Sequence, residues 1–104
     1  IIIITVLFAC NQNPNSKKET NTSVSIEKGK TVFKQYCVSC HGIDGTLGLN
    51  GAMNLQKTKL TKKEKIYVIT NGRKTMLSFK NILQPNEIES VAIFIEALSL
   101  NEKN

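Results

Sequence analysis

The chain has 104 residues, of which 40% are hydrophobic, and it carries a formal net charge of +6 at pH 7. This length allows one small domain, and the apolar content excludes wholesale disorder. The sequence carries no nucleic-acid-binding signature, so its positive charge favours acidic partners or anionic surfaces and no nucleic-acid partner is expected.

The first ten residues, IIIITVLFAC, combine a short apolar run with a cysteine. The run is too short to span a bilayer as a helix, but its length suits the apolar core of a secretory signal. Residues 7–10 resemble the lipobox of bacterial lipoproteins, in which the signal is cut before a cysteine that is then acylated. We therefore expect residues 1–9 to be part of a lipoprotein signal peptide and Cys10 to be lipidated. The alternative is a buried N-terminal strand with a core cysteine.

A polar stretch, NQNPNSKKETNTSVS, follows the cysteine. Its composition is typical of a flexible tether. We expect residues 10–24 to be a lipidated tether, residues 25–100 to be the folded domain, and residues 101–104 to be a C-terminal tail. Such an anchor would hold the protein on the periplasmic side of a bacterial membrane.

Ser25 is suited to cap a first helix. The apolar residues of this helix share one face with Gly29 and lead directly into Cys37. The segment after residue 41, GIDGTLGLNG, holds four glycines, which let a backbone bend and approach another group closely. It lacks the residue order of a phosphate-binding loop, so a nucleotide site is not indicated.

Two more helices are predicted in the second half of the chain. Thr61 and Glu64 form a capping box for a short helix that should end at Asn71. The last helix should begin near Pro85, and its apolar stripe continues to Leu98. The expected fold class is therefore all-α, with three main helices and long loops.

The candidate chemistry lies in CVSCHG, residues 37–42, where Cys37 and Cys40 precede the single histidine, His41. A structural zinc site needs four ligands, and this motif supplies three at most. A thioredoxin-like dithiol would follow a strand inside a βαβ pattern, whereas here a helix precedes the motif. Both alternatives are therefore disfavoured.

The motif CxxCH is the attachment signal of a c-type haem. Each cysteine can form a thioether with one vinyl group, and the histidine that follows can bind the iron. The three cysteines then divide into Cys37 and Cys40 for one haem c and Cys10 for a lipid. Because His41 is the only histidine, the other axial position is left to Met53, Met76, a lysine, a solvent molecule or no ligand.

Residues 25–100 resemble a class I c-type cytochrome. The resemblance is carried by four strings, GKTVFKQYCVSCHGIDG, GAMNL, ITNGRKTMLSF and LQPNEIESVAIFIEAL. It implies a small cytochrome c-like domain wrapped around one covalently bound haem c. It also implies that the first and last helices cross near Gly29 and Phe94.

The resemblance further implies that Met76 is the second axial ligand of the iron. Leu77 stands where the family has a proline, so the loop is expected to be less rigid. In the family another proline carbonyl accepts a hydrogen bond from the ligand histidine. Met53 falls at that position, where its carbonyl can do the same, and its side chain is expected to fill the core.

A histidine–methionine iron site suits an electron carrier on the oxidising side of a redox chain. We therefore expect a monomeric, membrane-tethered one-electron carrier between redox protein partners, and not an enzyme. One alternative is a haem c subunit or module that serves a catalytic oxidoreductase. Another is a haem-based gas sensor or peroxidase-like site, should Met76 not bind the iron.

A run of lysines begins after the glycine-rich segment. A solvated face is the usual explanation for such a run. Because the helix dipole disfavours cations in the first turns of the short helix, we also expect docking of an acidic partner beside the haem. The residues concerned are Lys57, Lys59, Lys62, Lys63 and Lys65, with Arg73 and Lys74 close to Met76.

Overall fold

The computed structural model describes residues 23–101 of the chain. No strand forms in this part, where β pairing is limited to an isolated antiparallel bridge between Arg73 and Met76. The expected all-α class is confirmed. The α-helices are α1 at Ile26–Tyr36, α2 at Val38–His41, α3 at Lys62–Asn71 and α4 at Pro85–Asn101, with a 3-10 turn at Leu49–Gly51.

Several predictions for the termini concern residues that lie outside the described part. They are the signal peptide at 1–9, lipidation at Cys10, most of the tether at 10–24 and most of the tail at 101–104. Among residues 23–101, no helix has both the length and the apolar character that a membrane crossing requires.

The first helix, α1, begins as its sequence predicts. The Ser25 hydroxyl accepts a hydrogen bond from the Lys28 N–H at 3.0 Å, and this satisfies one backbone donor that the first turn leaves open. The buried face of α1 consists of Gly29, Val32 and Phe33. Tyr36 lies at the edge of this face, and its 37% exposure is greater than the pattern suggests.

The predicted crossing of α1 and α4 near Gly29 and Phe94 is confirmed. The two helix backbones approach each other more closely there than side chains between them would allow. A Cβ atom placed on Gly29 would lie 1.9 Å from the carbonyl oxygen of Ser90 and 3.0 Å from the Cβ of Phe94. One turn later, the rings of Phe33 and Phe94 pack with centroids 5.1 Å apart. The absent side chain of Gly29 therefore lets the two helices touch backbone to backbone.

Ser90 makes contacts at this crossing that were not predicted from the sequence. It is fully buried in α4, where its hydroxyl donates to the Asn86 carbonyl at 2.7 Å and accepts from the Ser25 N–H at 3.2 Å. One buried hydroxyl thus joins the start of α1 to the first turns of α4. A serine within an apolar stripe gives no signal of this kind in sequence.

The helix α3 has the predicted bounds and lies against α4. The Thr61 hydroxyl accepts from the Glu64 N–H at 3.2 Å, and α3 ends at Asn71 before Gly72, whose φ is 74°. Its inner face meets the apolar stripe of α4, which is buried as predicted. The core contains Val32, Phe33, Cys37, Ile69, Phe79, Leu83, Ile88, Val91, Ala92, Ile95 and Leu98.

Candidate functional site

A cavity of about 450 Å³ lies between the four helices and the loop that follows α3. Its walls are mainly apolar, with Val68 and Ile69 from α3 and Val91 and Ile95 from α4 among the lining residues. An enclosure of this size and character suits a large apolar group held by a few polar contacts. Every residue predicted for the haem site lines this one cavity, namely Cys37, Cys40, His41 and Met76.

The two cysteines lie on either side of the break between α1 and α2. The Cys37 N–H still donates to the Phe33 carbonyl at 2.9 Å, so Cys37 closes α1. The chain resumes helical geometry at Val38, which places Cys40 one turn further along the same cavity. The start of α2 as a separate element was not predictable from the sequence pattern.

Burial, and secondarily the electrostatic interaction with Cys40, raises the pKa of the free Cys37 thiol from 9.0 to about 12. A redox dithiol needs the opposite, because its nucleophile is a thiolate with a lowered pKa. Cys37 thus offers a neutral thiol to the cavity. In the described residues, moreover, no three His, Cys, Asp or Glu side chains are grouped to bind a metal ion.

His41 is buried at the end of α2, and its ring is held by a backbone carbonyl. The distance from its Nδ1 to the Met53 carbonyl oxygen is 3.1 Å. A carbonyl can only accept, so Nδ1 carries the proton and the lone pair of Nε2 is left for a metal. The hydrogen bond predicted for the Met53 carbonyl is confirmed.

The prediction for the Met53 side chain is wrong. It does not fill the core, because it is 51% exposed and lies at the rim of the cavity. The backbone of this segment is oriented by the hydrogen bond from His41, and this orientation leaves the side chain at the surface. Met76, by contrast, is partly buried and packs against the core.

The Met76 loop is held by backbone hydrogen bonds and has no proline. Arg73 and Met76 exchange two bonds, with Arg73 N–H donating at 3.1 Å and Met76 N–H donating at 3.0 Å. Lys74 takes the left-handed conformation in this tight turn, with φ 55°. The Thr75 hydroxyl donates to the Asn50 carbonyl at 3.0 Å and ties the turn to the opposite wall.

Gly72 is required at the start of this loop for two reasons. Its φ of 74° is left-handed, and a Cβ atom there would lie 2.6 Å from the Met76 carbonyl oxygen and 2.9 Å from the Leu77 carbonyl carbon. The loop can therefore fold back on the end of α3 only with glycine at this position. The helix end at Asn71 was predicted from the sequence, but this contact of Gly72 was not.

The glycine-rich segment folds back to form another wall of the cavity. The Leu55 N–H donates to the Gly45 carbonyl at 2.9 Å, and a Cβ atom on Gly45 would lie 2.8 Å from the Cβ of Leu55. Gly45 also has a left-handed φ of 84°. The predicted role of the glycines in a close backbone approach is confirmed at this position.

Comparison with known proteins identifies the family. Residues 24–95 match the family model described as cytochrome C oxidase, cbb3-type, subunit III. Cytochrome c6 of Leptolyngbya boryana is 37% identical over 73 residues, which cover 64% of this chain and 85% of that protein. The cytochrome c6-like protein of Nostoc sp. is 30% identical over 101 residues, which cover 91% of this chain and 86% of that protein.

The fold agrees with a solved structure. The cytochrome c6 of the diatom Phaeodactylum tricornutum superposes with a TM-score of 0.61 at 23% identity, over 74% of this chain and 97% of that chain. This chain belongs to the class I c-type cytochromes. The cytochrome carries one covalently bound haem c and is a monohaem electron carrier, not an enzyme.

The lysine run of the cytochrome is not one solvated face. Lys62 pairs with Glu89 of α4 at 2.9 Å, and Lys65 pairs with Glu96 of α4 at 3.7 Å. Lys65 is only 8% exposed and lines the cavity, so the expectation that it docks a partner is wrong. The other cations of the run and of the Met76 loop are exposed, namely Lys57, Lys59, Lys63, Arg73 and Lys74.

Proposed function

We propose that this cytochrome attaches its haem through Cys37 and Cys40, binds the iron through His41 and Met76, and works as a membrane-tethered carrier between redox protein partners. The observation that carries the assignment is that these four side chains line one apolar cavity. Bound haem supplies a one-electron change between ferric and ferrous iron, in which no bond is made or broken.

The chain's own residues prepare the cavity for this change. The Met53 carbonyl orients the His41 ring and supports its basicity as a ligand. A thioether ligand opposite histidine raises the reduction potential. The buried apolar walls exclude water and so disfavour the more highly charged ferric state.

The ligand assignment is tested by the absorption spectra of the wild type and of Met76→Ala. We expect a low-spin ferric wild type with the weak long-wavelength methionine–iron band, and loss of this band in Met76→Ala. The matched control is Met53→Ala, which should keep the band because Met53 serves the site through its backbone carbonyl. A band that survives in Met76→Ala would exclude Met76 as the ligand.

The same spectra separate the proposal from its rivals. A high-spin ferric wild type, or one whose ferrous form binds carbon monoxide readily, would favour a gas sensor or a peroxidase-like site. Either result would leave the attachment of haem unaffected and would contradict the histidine–methionine ligation that we propose.

The place where the chain enters the domain is compatible with a membrane tether. Lys28 Nζ donates to the Ser23 carbonyl at 2.8 Å, which holds the entering chain at the start of α1. Cys37 follows the other end of this 11-residue helix, which is about 16 Å long at 1.5 Å per residue. A tether at Ser23 would therefore leave the cavity end of the domain free to meet partners.

We expect Cys10→Ser, expressed behind a lipoprotein signal sequence, to move the cytochrome from the membrane fraction to the soluble fraction. An acyl group adds about 0.8 kcal/mol of membrane affinity per buried CH₂, and two chains are needed for stable anchoring. Wild-type protein should resist a high-salt wash but dissolve in detergent. Equal partitioning of both proteins would contradict the lipid anchor.

Docking of an acidic partner is the remaining part of the proposal. The exposed cations Arg73 and Lys74 belong to the Met76 loop and line the cavity, and Lys57 and Lys59 flank the lining residue Thr58. Their charges can attract an anionic surface to the cavity mouth and can speed its encounter with the haem edge.

A further inference from the structure

Lys65 is a positive charge in the wall of the haem cavity. Of the lysines, arginines, aspartates and glutamates in residues 23–101, it alone is buried, at 8% exposure. It lies one helical turn before the core residue Ile69, on the same face of α3, and both residues line the cavity.

The stability of the domain does not explain a lysine at this position. Burial disfavours an ammonium group, and so does a place near the N-terminus of α3, where the helix dipole is positive. An apolar side chain of similar size would avoid both costs. The neighbouring pair of Lys62 and Glu89 already links α3 to α4 at 2.9 Å, with both side chains about 40% exposed.

The partner of Lys65 compensates its charge only in part. Among the described residues, Glu96 is the carboxylate within 4 Å of the ammonium, at the long distance of 3.7 Å. The Glu96 side chain is 43% exposed, so water screens its charge, while that of Lys65 is 9% exposed. The positive charge therefore acts on the cavity more strongly than the negative charge of Glu96.

We propose that Lys65 raises the reduction potential of the haem through its charge, with Glu96 moderating the effect. Reduction transfers one electron from a donor to ferric haem, which lowers the charge of the site by one and needs no proton. A buried cation beside the cavity favours the less positive, ferrous state. The inference rests on the proposed position of the haem in this cavity.

The experiment is spectroelectrochemical titration of holocytochrome variants. We expect Lys65→Met to lower the equilibrium constant for reduction at least threefold, or about 28 mV at 59 mV per tenfold change. Lys63→Met is the matched control, because Lys63 is exposed on the same helix and loses the same charge. Its shift should be smaller and should vanish at high salt, whereas the Lys65→Met shift should persist.

Two further variants separate a charge effect from a structural effect. Glu96→Gln should raise the potential, and Lys65→Arg should keep the wild-type value. If the pair of Lys65 and Glu96 had only a structural role, breaking it would loosen the α3–α4 contact and admit water. The reduction potential would then fall in every variant that breaks this pair. These two variants also test the inference should Lys65→Met fail to load haem.

The inference is overturned if Lys65→Met shifts the potential no more than Lys63→Met, or if Glu96→Gln lowers it. It is supported if the two shifts have opposite signs. Spectra recorded on the same samples show whether the methionine–iron band is present. If the band is present and Lys65→Met does not shift the potential, the role of Lys65 is contradicted but the proposed iron ligands are not. If the band is absent in the wild type, the proposed iron ligands are contradicted.

Discussion

At the scale of single residues, the candidate site depends on backbone groups as much as on side chains. Met53 serves the site through its carbonyl, which accepts from His41, while its side chain is half exposed. A main-chain acceptor does not depend on the identity of the residue that carries it. Met53 can therefore replace the proline that the family has here, and the orientation of the histidine is kept.

The same principle applies to the loop of Met76. Leu77 replaces a proline and is 57% exposed, so its side chain gives the loop little support. The turn is instead fixed by the paired backbone bonds of Arg73 and Met76 and by the Thr75 hydroxyl on Asn50. We expected a less rigid loop because the proline is missing. These hydrogen bonds, which the sequence does not show, hold the loop in another way.

At the scale of elements, the crossing of α1 and α4 determines the position of the CVSCH motif. Gly29 brings the α1 backbone against Ser90, and the Phe33 and Phe94 rings pack one turn later. Because Cys37 closes α1, the angle of this crossing decides where the CVSCH segment meets the cavity. The crossing is therefore part of the site although none of its residues reacts.

We expect Gly29→Ala to destabilise the holocytochrome by about 2–3 kcal/mol, because the new Cβ would overlap the Ser90 carbonyl and force the helices apart. Alanine is otherwise the better helix former, so a loss of stability would report on packing alone. Chemical denaturation followed by circular dichroism measures the change. Gln35→Ala, on the exposed face of α1, should stay within about 0.5 kcal/mol of the wild type. A Gly29→Ala protein as stable as the wild type would contradict the close crossing.

At the scale of the whole molecule, the positive charges differ in their surroundings. The formal net charge is +6, but Lys62 and Lys65 are paired with α4 and contribute little to an external field. The exposed Arg73 and Lys74 remain beside the cavity mouth. A lysine run that looks uniform in sequence thus divides into helix-pairing, cavity-lining and exposed positions.

We expect the oxidation of the ferrous cytochrome by an anionic hexacyanoferrate(III) probe to slow steeply as ionic strength rises, because salt screens the cations beside the cavity. Stopped-flow kinetics measures the rate. Lys74→Gln should flatten the salt dependence more than Lys30→Gln, which removes the same charge from the exposed side of α1. A flat response of the wild type, or equal slopes for the two variants, would contradict docking at the cavity mouth.

Local spacing made much of this predictable from the sequence. The caps at Ser25 and Thr61 involve atoms three residues apart, and so the starts of α1 and α3 were predicted correctly. The motif CxxCH likewise carries its chemistry within five residues, and the family comparison confirms the haem c that it predicts. The carbonyl partner of His41, 12 residues away, was predicted only through the resemblance to a family.

The sequence by itself therefore determined the fold class, the starts of α1, α3 and α4, and the cofactor, because each depends on neighbours along one chain segment. Only the tertiary structure decided that Ser90 meets Gly29, that the Met53 side chain is at the surface and that Lys65 is buried in the wall of the cavity. These outcomes depend on which helix faces meet. A lysine or a serine has the same local pattern whether its face turns to water or to a partner helix, and packing alone distinguishes the two.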